Sequence, residues 1–171
     1  MRAKERPGAY IPVRPSHAMP CQRVPAVKQY LCPHCAAANR VPEGRDAGQA
    51  KCGKCHELLL TGAPVEVTGA QLAAHRAGTK GAALLLDVWA PRCGPCRSMA
   101  PQFAQAAKAL EPDVRLLKLN SDAEPAAASA LGVSGIPALF LIRDGKVIAQ
   151  TAGAMPATQI VAWARGALAA G

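Results

Sequence analysis

No stretch of this 171-residue chain approaches the roughly 18 consecutive apolar residues of a membrane-spanning helix. The most apolar run, Gly81 to Ala90, is broken by Asp87, which excludes a span. The first 20 residues are basic, with prolines at positions 7, 12, 15 and 20, and lack both an apolar core and an A-x-A cleavage pattern. They do not read as a secretory signal. Acidic residues are also scarce, 11 against 20 Lys and Arg, and the surplus is uneven. Residues 1–60 hold ten basic and four acidic side chains, and residues 61–171 ten and seven. A basic end invites a nucleic-acid reading, yet its only aromatics are Tyr10 and Tyr30, so base stacking has little to work with. The charge is read as solubility and weak steering, without a nucleic-acid site.

Half the residues are hydrophobic, enough for a buried core. The length allows one ordinary domain plus something small. Seven of the fifteen prolines precede residue 43, and residues 1–28 read as a flexible, proline-rich basic tail. Residues 29–60 form a short unit organised by cysteine pairs, and Gly62-Ala63-Pro64 marks the join to a domain over 64–171. Seven cysteines without a secretory signal suggest a reducing, cytoplasmic setting, where cysteines bind metal or do redox chemistry.

From Pro64 onward, strand and helix signals alternate. Val65–Val67 reads as a strand, and Thr68 as the N-cap of a helix to about Arg76 that ends at Gly78. Ala82–Ala90 is a buried central strand, and Cys93–Leu110 a helix kinked at Pro101. Val114–Asn120 is a strand and Glu124–Leu131 a short helix. Asp144-Gly145 joins strands Ala138–Arg143 and Lys146–Thr151 in a hairpin, before a last helix from Ala157 to about Ala169. This is an α/β plan, a mixed sheet with helices on both faces and an antiparallel pair at one edge.

Cys93-Gly94-Pro95-Cys96 opens a helix directly after a buried strand. A helix N-terminus carries partial positive charge and free N–H groups, which favour thiolate at the first cysteine. Two intervening residues put both sulfurs in one turn, where a disulfide can close, and Gly94 and Pro95 suit that turn. Cys93 is then the thiol that attacks a target disulfide and Cys96 the one that resolves the mixed disulfide. Asp87, inside Leu84-Leu-Leu-Asp-Val-Trp, is a carboxylate in an apolar strand, costly unless it has a task.

Cys32-Pro-His-Cys35 and Cys52-Gly-Lys-Cys55, with sixteen residues between them, fit the C-x2-C-x15–20-C-x2-C zinc pattern. Each pair presents two thiolates, and four thiolates close a tetrahedron with no place for water. One structural Zn2+ per chain is expected, with two disulfides as the competing arrangement; no organic cofactor is called for. His34 and His56 adjoin the ligands, but either would displace a cysteine from a complete set. Cys21 is a spare thiol in the tail, and His17 and His75 read as solvated.

The run Asp87-Val-Trp89-Ala-Pro-Arg-Cys93-Gly-Pro-Cys96-Arg-Ser-Met-Ala-Pro101 resembles the active-site block of thioredoxins. The likeness extends through Lys118-Leu-Asn120, Gly132-Val-Ser-Gly-Ile-Pro137, Asp144-Gly145-Lys-Val147 and Gly153, covering residues 64–171. With the cysteine-rich leader, the chain from about residue 29 resembles the zinc-binding bacterial thioredoxin 2 type. The resemblance implies a thioredoxin fold behind a small zinc-ribbon-like module. It also implies reduction of protein disulfides and recycling by an NADPH-dependent thioredoxin reductase.

Residue by residue, it implies that Asp87 lies beneath the dithiol and exchanges protons with Cys96, with burial raising its pKa. Lys118 would lie near that carboxylate, although sequence alone favours a solvent-facing lysine. Pro137 matches a cis-proline whose loop, with Ile136, faces the dithiol and hydrogen-bonds bound peptide. Trp89 matches a tryptophan packed beside the site, a role compatible with the core. Arg92 and Ala138 depart from the Trp and Thr common in the family, and both touch the target-binding face, as do Gly94 and Pro95. Two other functions remain open at this point: a basic zinc ribbon that docks nucleic acid or protein, and a holdase switched on by oxidative zinc release.

Overall fold

The computed structural model describes residues 27–170. The readings made for Cys21, His17 and most of the N-terminal tail lie outside those residues. Strands β1 (Val27–Leu31) and β2 (Ala38–Pro42) form an antiparallel hairpin, followed by a 3-10 turn at Ala47–Gln49. The hairpin therefore begins two residues before the boundary expected at residue 29.

The larger unit runs β3 (Val65–Glu66), α1 (Gly69–Gly78), β4 (Ala83–Trp89), α2 (Gly94–Leu110), β5 (Val114–Asn120), α3 (Pro125–Ala130), β6 (Ala138–Arg143), β7 (Lys146–Ala152) and α4 (Ala157–Ala170). The sheet order is β3-β5-β4-β6-β7, with β3, β5 and β4 parallel and β6 and β7 antiparallel. That is the mixed sheet expected from the order of elements.

Local chemistry explains most boundaries. Thr68 and Gln71 close a reciprocal capping box at the start of α1. Asp144 and Gly145, at φ 49° and 80°, supply the two left-handed residues a tight hairpin needs. α2 runs as one helix from Gly94 to Leu110 across Pro101, which lacks the N–H to continue the ladder there.

The sheet's two faces bury separate clusters, as a period-two strand requires. Leu85, Leu116, Leu139 and Leu141 pack against Met99, Phe103 and Ala106 of α2 and Ile160 and Ala164 of α4. Leu84, Leu86, Val88, Leu117 and Leu119 turn the other way, toward Leu72 of α1 and Ala128 of α3.

The cysteine-rich unit is docked on the α1 side. Gln29 and Lys80 exchange backbone hydrogen bonds of 2.8 and 3.0 Å, and Tyr30 donates to the Pro112 carbonyl at 2.5 Å. Leu31 lies so close to Gly78 that a Cβ there would come within 2.8 Å of it. Arg115 of β5, 2% exposed, donates to the Leu59 carbonyl at 2.6 Å and pairs with Glu111 at 3.1 Å. Glu111 in turn accepts from the Gly62 N–H at 2.7 Å. His75, read from sequence as solvated, is instead buried on α1, with its Nδ1 unpartnered among the described residues. Burial, with Arg115 nearby, pushes its pKa down to about 4.

Candidate redox site and metal centre

Cys93 is the N-cap of α2, and its Sγ accepts from the Cys96 N–H at 3.2 Å. The two sulfurs are joined as a disulfide with Cα atoms 5.3 Å apart. The pair is asymmetric: Cys93 is half-buried, whereas Cys96 is 2% exposed. Gly94 and Pro95 form the first turn and face solvent. Across from them, the Cys93 Sγ lies 3.8 Å from the Ile136 carbonyl. The Ile136–Pro137 peptide is cis, and the Pro137 carbonyl is held by the Gly153 N–H at 2.9 Å. A half-buried residue at a helix N-terminus thus has its sulfur beside a loop carbonyl.

Asp87 is 1% exposed, and neither carboxylate oxygen has a hydrogen-bond partner among the described residues. It shares the sheet face of Leu85, against which the buried stripe of α2 packs, and Cys96 belongs to that stripe with Met99 and Phe103. Loss of water raises its pKa from 3.8 to about 7; Lys118 pulls it down and Glu66 pushes it up. A carboxyl poised there gives up or takes a proton near neutral pH.

Lys118 is the direct register partner of Asp87 on β5, and Glu66 on β3 is the register partner of Lys118. The Lys118 Nζ stands 4.0 Å from the Trp89 ring centroid and 3.6 Å from the Glu66 carboxylate. Trp89 donates its indole N–H to the same carboxylate at 2.9 Å. Lys118 is therefore neither free in solvent nor in contact with Asp87.

Arg92 is open to solvent and paired with Asp122 at 2.9 Å, so its charge beside Cys93 is already partly met. Ala138, the other departure from the family pattern, is buried at the start of β6.

The sulfurs of Cys32, Cys35, Cys52 and Cys55 all lie within 4.8 Å of one another. Cys32 and Cys55 are 3.5 Å apart, Cys35 and Cys52 3.6 Å. A tetrahedral zinc with bonds of about 2.3 Å requires sulfurs roughly 3.8 Å apart, so the set fits the ion. Two matching turns build it. Cys32 donates its N–H to Ala37 and accepts from Ala36; Cys52 does the same with Glu57 and His56. Ala36 and His56 take left-handed φ values of 55° and 64° to close these turns. The N–H groups of His34 and Lys54 point at the sulfurs of Cys32 and Cys52, each at 3.4 Å. The imidazoles of His34 and His56 are outside this group, on exposed residues.

The thioredoxin family model matches residues 67–166. The chain belongs to the thioredoxin family. A second family model, described as the N-terminal part of thioredoxin 2, matches residues 31–57. Thioredoxin C-3 of Corynebacterium nephridii is 37% identical over 133 residues, spanning 78% of this chain and 90% of that protein. Thioredoxin of Rhodospirillum rubrum is 44% identical over 78 residues, 46% of this chain and 75% of its own length. A mutant thioredoxin from Halobacterium salinarum NRC-1 superposes with a TM-score of 0.56 at 27% identity, covering 63% of this chain and 92% of its own. With the dithiol in place, the chain is a thioredoxin-type protein-disulfide oxidoreductase carrying a four-cysteine module of zinc-ribbon kind. Among the described residues, no helix is long and apolar enough to cross a membrane.

Sequence reasoning missed Glu66, Asp122, Glu111 and Arg115. Glu66 lies only two residues past Pro64, in a strand too short to show periodicity. Arg115 and Glu111 do have helical spacing, but they sit at a helix end and a strand start, where such spacing carries no message.

Proposed function

We propose that reduction runs through Cys93 and Cys96, with Cys93 attacking. The observation that carries this is the asymmetry of the pair, one sulfur reachable at the N-terminus of α2 and the other buried. The Cys93 thiolate, stabilised by the Cys96 N–H, attacks one sulfur of a target disulfide. The target S–S bond breaks, and its other sulfur leaves as thiolate and takes a proton from water. Cys96 then passes its proton to the Asp87 carboxylate and attacks the Cys93 sulfur. The second target thiolate leaves, and the protein is left with the Cys93–Cys96 disulfide. Two electrons have moved from protein to target.

Target peptide lies along Gly94, Pro95, Ile136 and Pro137, with Trp89 and Arg92 at its edge. An NADPH-dependent thioredoxin reductase returns the two electrons. The setting proposed is the cytoplasm, where thiolates stay reduced. Cys32, Cys35, Cys52 and Cys55 would hold one Zn2+, which supplies a cross-link for a unit too small to fold on its own core.

Insulin reduction coupled to NADPH and a thioredoxin reductase tests the reading. Wild type turns over, Cys93→Ser does not, and Cys96→Ser accumulates mixed disulfides with targets. Trapping by Cys93→Ser in place of Cys96→Ser would reverse the roles.

A further inference from the structure

Three charged residues stand in one row across the sheet: Glu66 on β3, Lys118 on β5 and Asp87 on β4, joined by direct parallel register. Among the described residues, Lys118 is the cation that can neutralise Asp87, because every other group facing that carboxylate is apolar, acidic or a cysteine. Leu139 is its partner on β6, α4 turns Ile160 and Ala164 to this face, and α2 brings Met99, Phe103 and Cys96. Yet Asp87 has no hydrogen-bond partner among the described residues, and the Lys118 ammonium is 3.6 Å from Glu66 instead. The Glu66 carboxylate grips two groups at once, the Lys118 ammonium and the Trp89 indole N–H, and Lys118 rests on the Trp89 ring between them.

We propose that Glu66 is a positioning residue for thiol–disulfide exchange, holding Lys118 over Trp89 and off Asp87 so that the buried carboxyl keeps its proton to higher pH. The proposal rests on the reading of Asp87 as the proton acceptor for Cys96. A lysine released from Glu66 would turn inward to the one other carboxylate in its row. Its approach would stabilise the ionised form of Asp87 and weaken the base that Cys96 needs. Glu66 also sets the ring against which Lys118 packs, so its position and its charge act in the same sense. Its side chain is 52% exposed, which screens the direct repulsion between the two carboxylates and leaves the hold on Lys118 as the larger effect.

The test uses the full-length, zinc-loaded protein and two readouts. Asp87 is followed through pH by carboxyl carbon NMR in the reduced state, and release of a peptide from its mixed disulfide with Cys93 is timed over the same range. Glu66→Gln keeps an acceptor for the Trp89 indole and removes the charge. It should lower the Asp87 midpoint by about half a unit to one unit and move the release profile with it. Glu66→Asp should restore most of the shift. In a Lys118→Met background, Glu66→Gln should move the midpoint by less than half as much, because there is no ammonium to redirect. An unmoved Asp87 midpoint in Glu66→Gln overturns the proposal, as does an equal shift with and without Lys118. Failure of the underlying reading looks different: the Asp87 midpoint moves as expected while the release profile stays put, and Asp87→Asn releases peptide at the wild-type rate.

Discussion

Asp87→Asn should make the protein more stable, and the gain should depend on pH in a defined way. Unfolded, the Asp87 carboxyl ionises around 3.8; folded, it does not ionise until about 7. Between those values the native state holds a proton that the unfolded state has lost, so the wild type loses stability as pH rises through the window. At about 1.4 kcal/mol per unit, the full gap amounts to roughly 4 kcal/mol, complete above pH 7. Asparagine fills the same space and cannot ionise. Its amide meets the same partnerless surroundings as the neutral carboxyl, so variant and wild type should be similar in acid. Urea unfolding of the oxidised, zinc-loaded proteins from pH 5.5 to 8.5 samples the upper part of the window. The stability difference should grow by about 2 kcal/mol between pH 5.5 and 7 and then level off. Taking variant minus wild type cancels the titration of His75 and of every other group common to both proteins. A flat difference would refute the reasoning, because it would mean that Asp87 is already ionised in the folded protein at pH 5.5. The same variant should release mixed disulfides at least about tenfold more slowly at neutral pH.

Three further outcomes are expected. Native mass spectrometry should find one zinc per chain, lost on Cys32→Ser or Cys52→Ser; two disulfides among these four cysteines in freshly reduced protein would remove the site. His75 protonates in the unfolded chain near 6.5 but in the folded one only near 4, so its stabilising contribution is complete above 6.5 and falls as pH drops. His75→Gln should erase about 2 kcal/mol of the loss between pH 6.5 and 5, measured by urea unfolding. Arg92→Trp should slow reduction of peptides with acids beside their disulfide, and only modestly, because Arg92 is exposed and paired with Asp122. A variant that gains on acidic peptides in a stopped-flow comparison would contradict this.

Much of the fold was legible because its signals are local. The apolar run of β4, the Thr68 cap, the Asp144-Gly145 turn and the helix-opening Cys93 are each decided within a few residues. The four-cysteine cluster was readable for the same reason, since two matching turns each carry their own pair of sulfurs. What stayed hidden depends on pairings far apart in the chain. Glu66 acquires its meaning only when β3 lands beside β5, fifty-two residues later at Lys118. His75 looked like any polar residue on a surface helix until the cysteine-rich unit covered that side of α1. Arg115 shares β5 with Lys118 and Asn120, so it does not stand out there as Asp87 does in β4. It was not singled out because its partners, the Leu59 carbonyl and Glu111, belong to no motif.

β5 explains why the protein can carry two costly buried charge systems without mixing them. Side chains alternate along a strand, so Arg115 and Lys118, three positions apart, fall on opposite faces. Arg115 shares the face of Leu117 and Leu119, toward α1, and joins the cysteine-rich unit to the sheet through Leu59, with Glu111 as its counter-charge. Lys118 shares the face of Leu116, toward α2, where its partners are Glu66, the Trp89 ring and, across the register, Asp87. A charge on one face of a packed sheet is separated from the other by a layer of leucines. The shifts follow that division: Arg115 depresses His75 and opposes the rise of Glu111, while Asp87 answers to Lys118 and Glu66. The cysteine-rich unit is therefore joined to one side of the sheet while the proton affinity beneath the dithiol is set on the other.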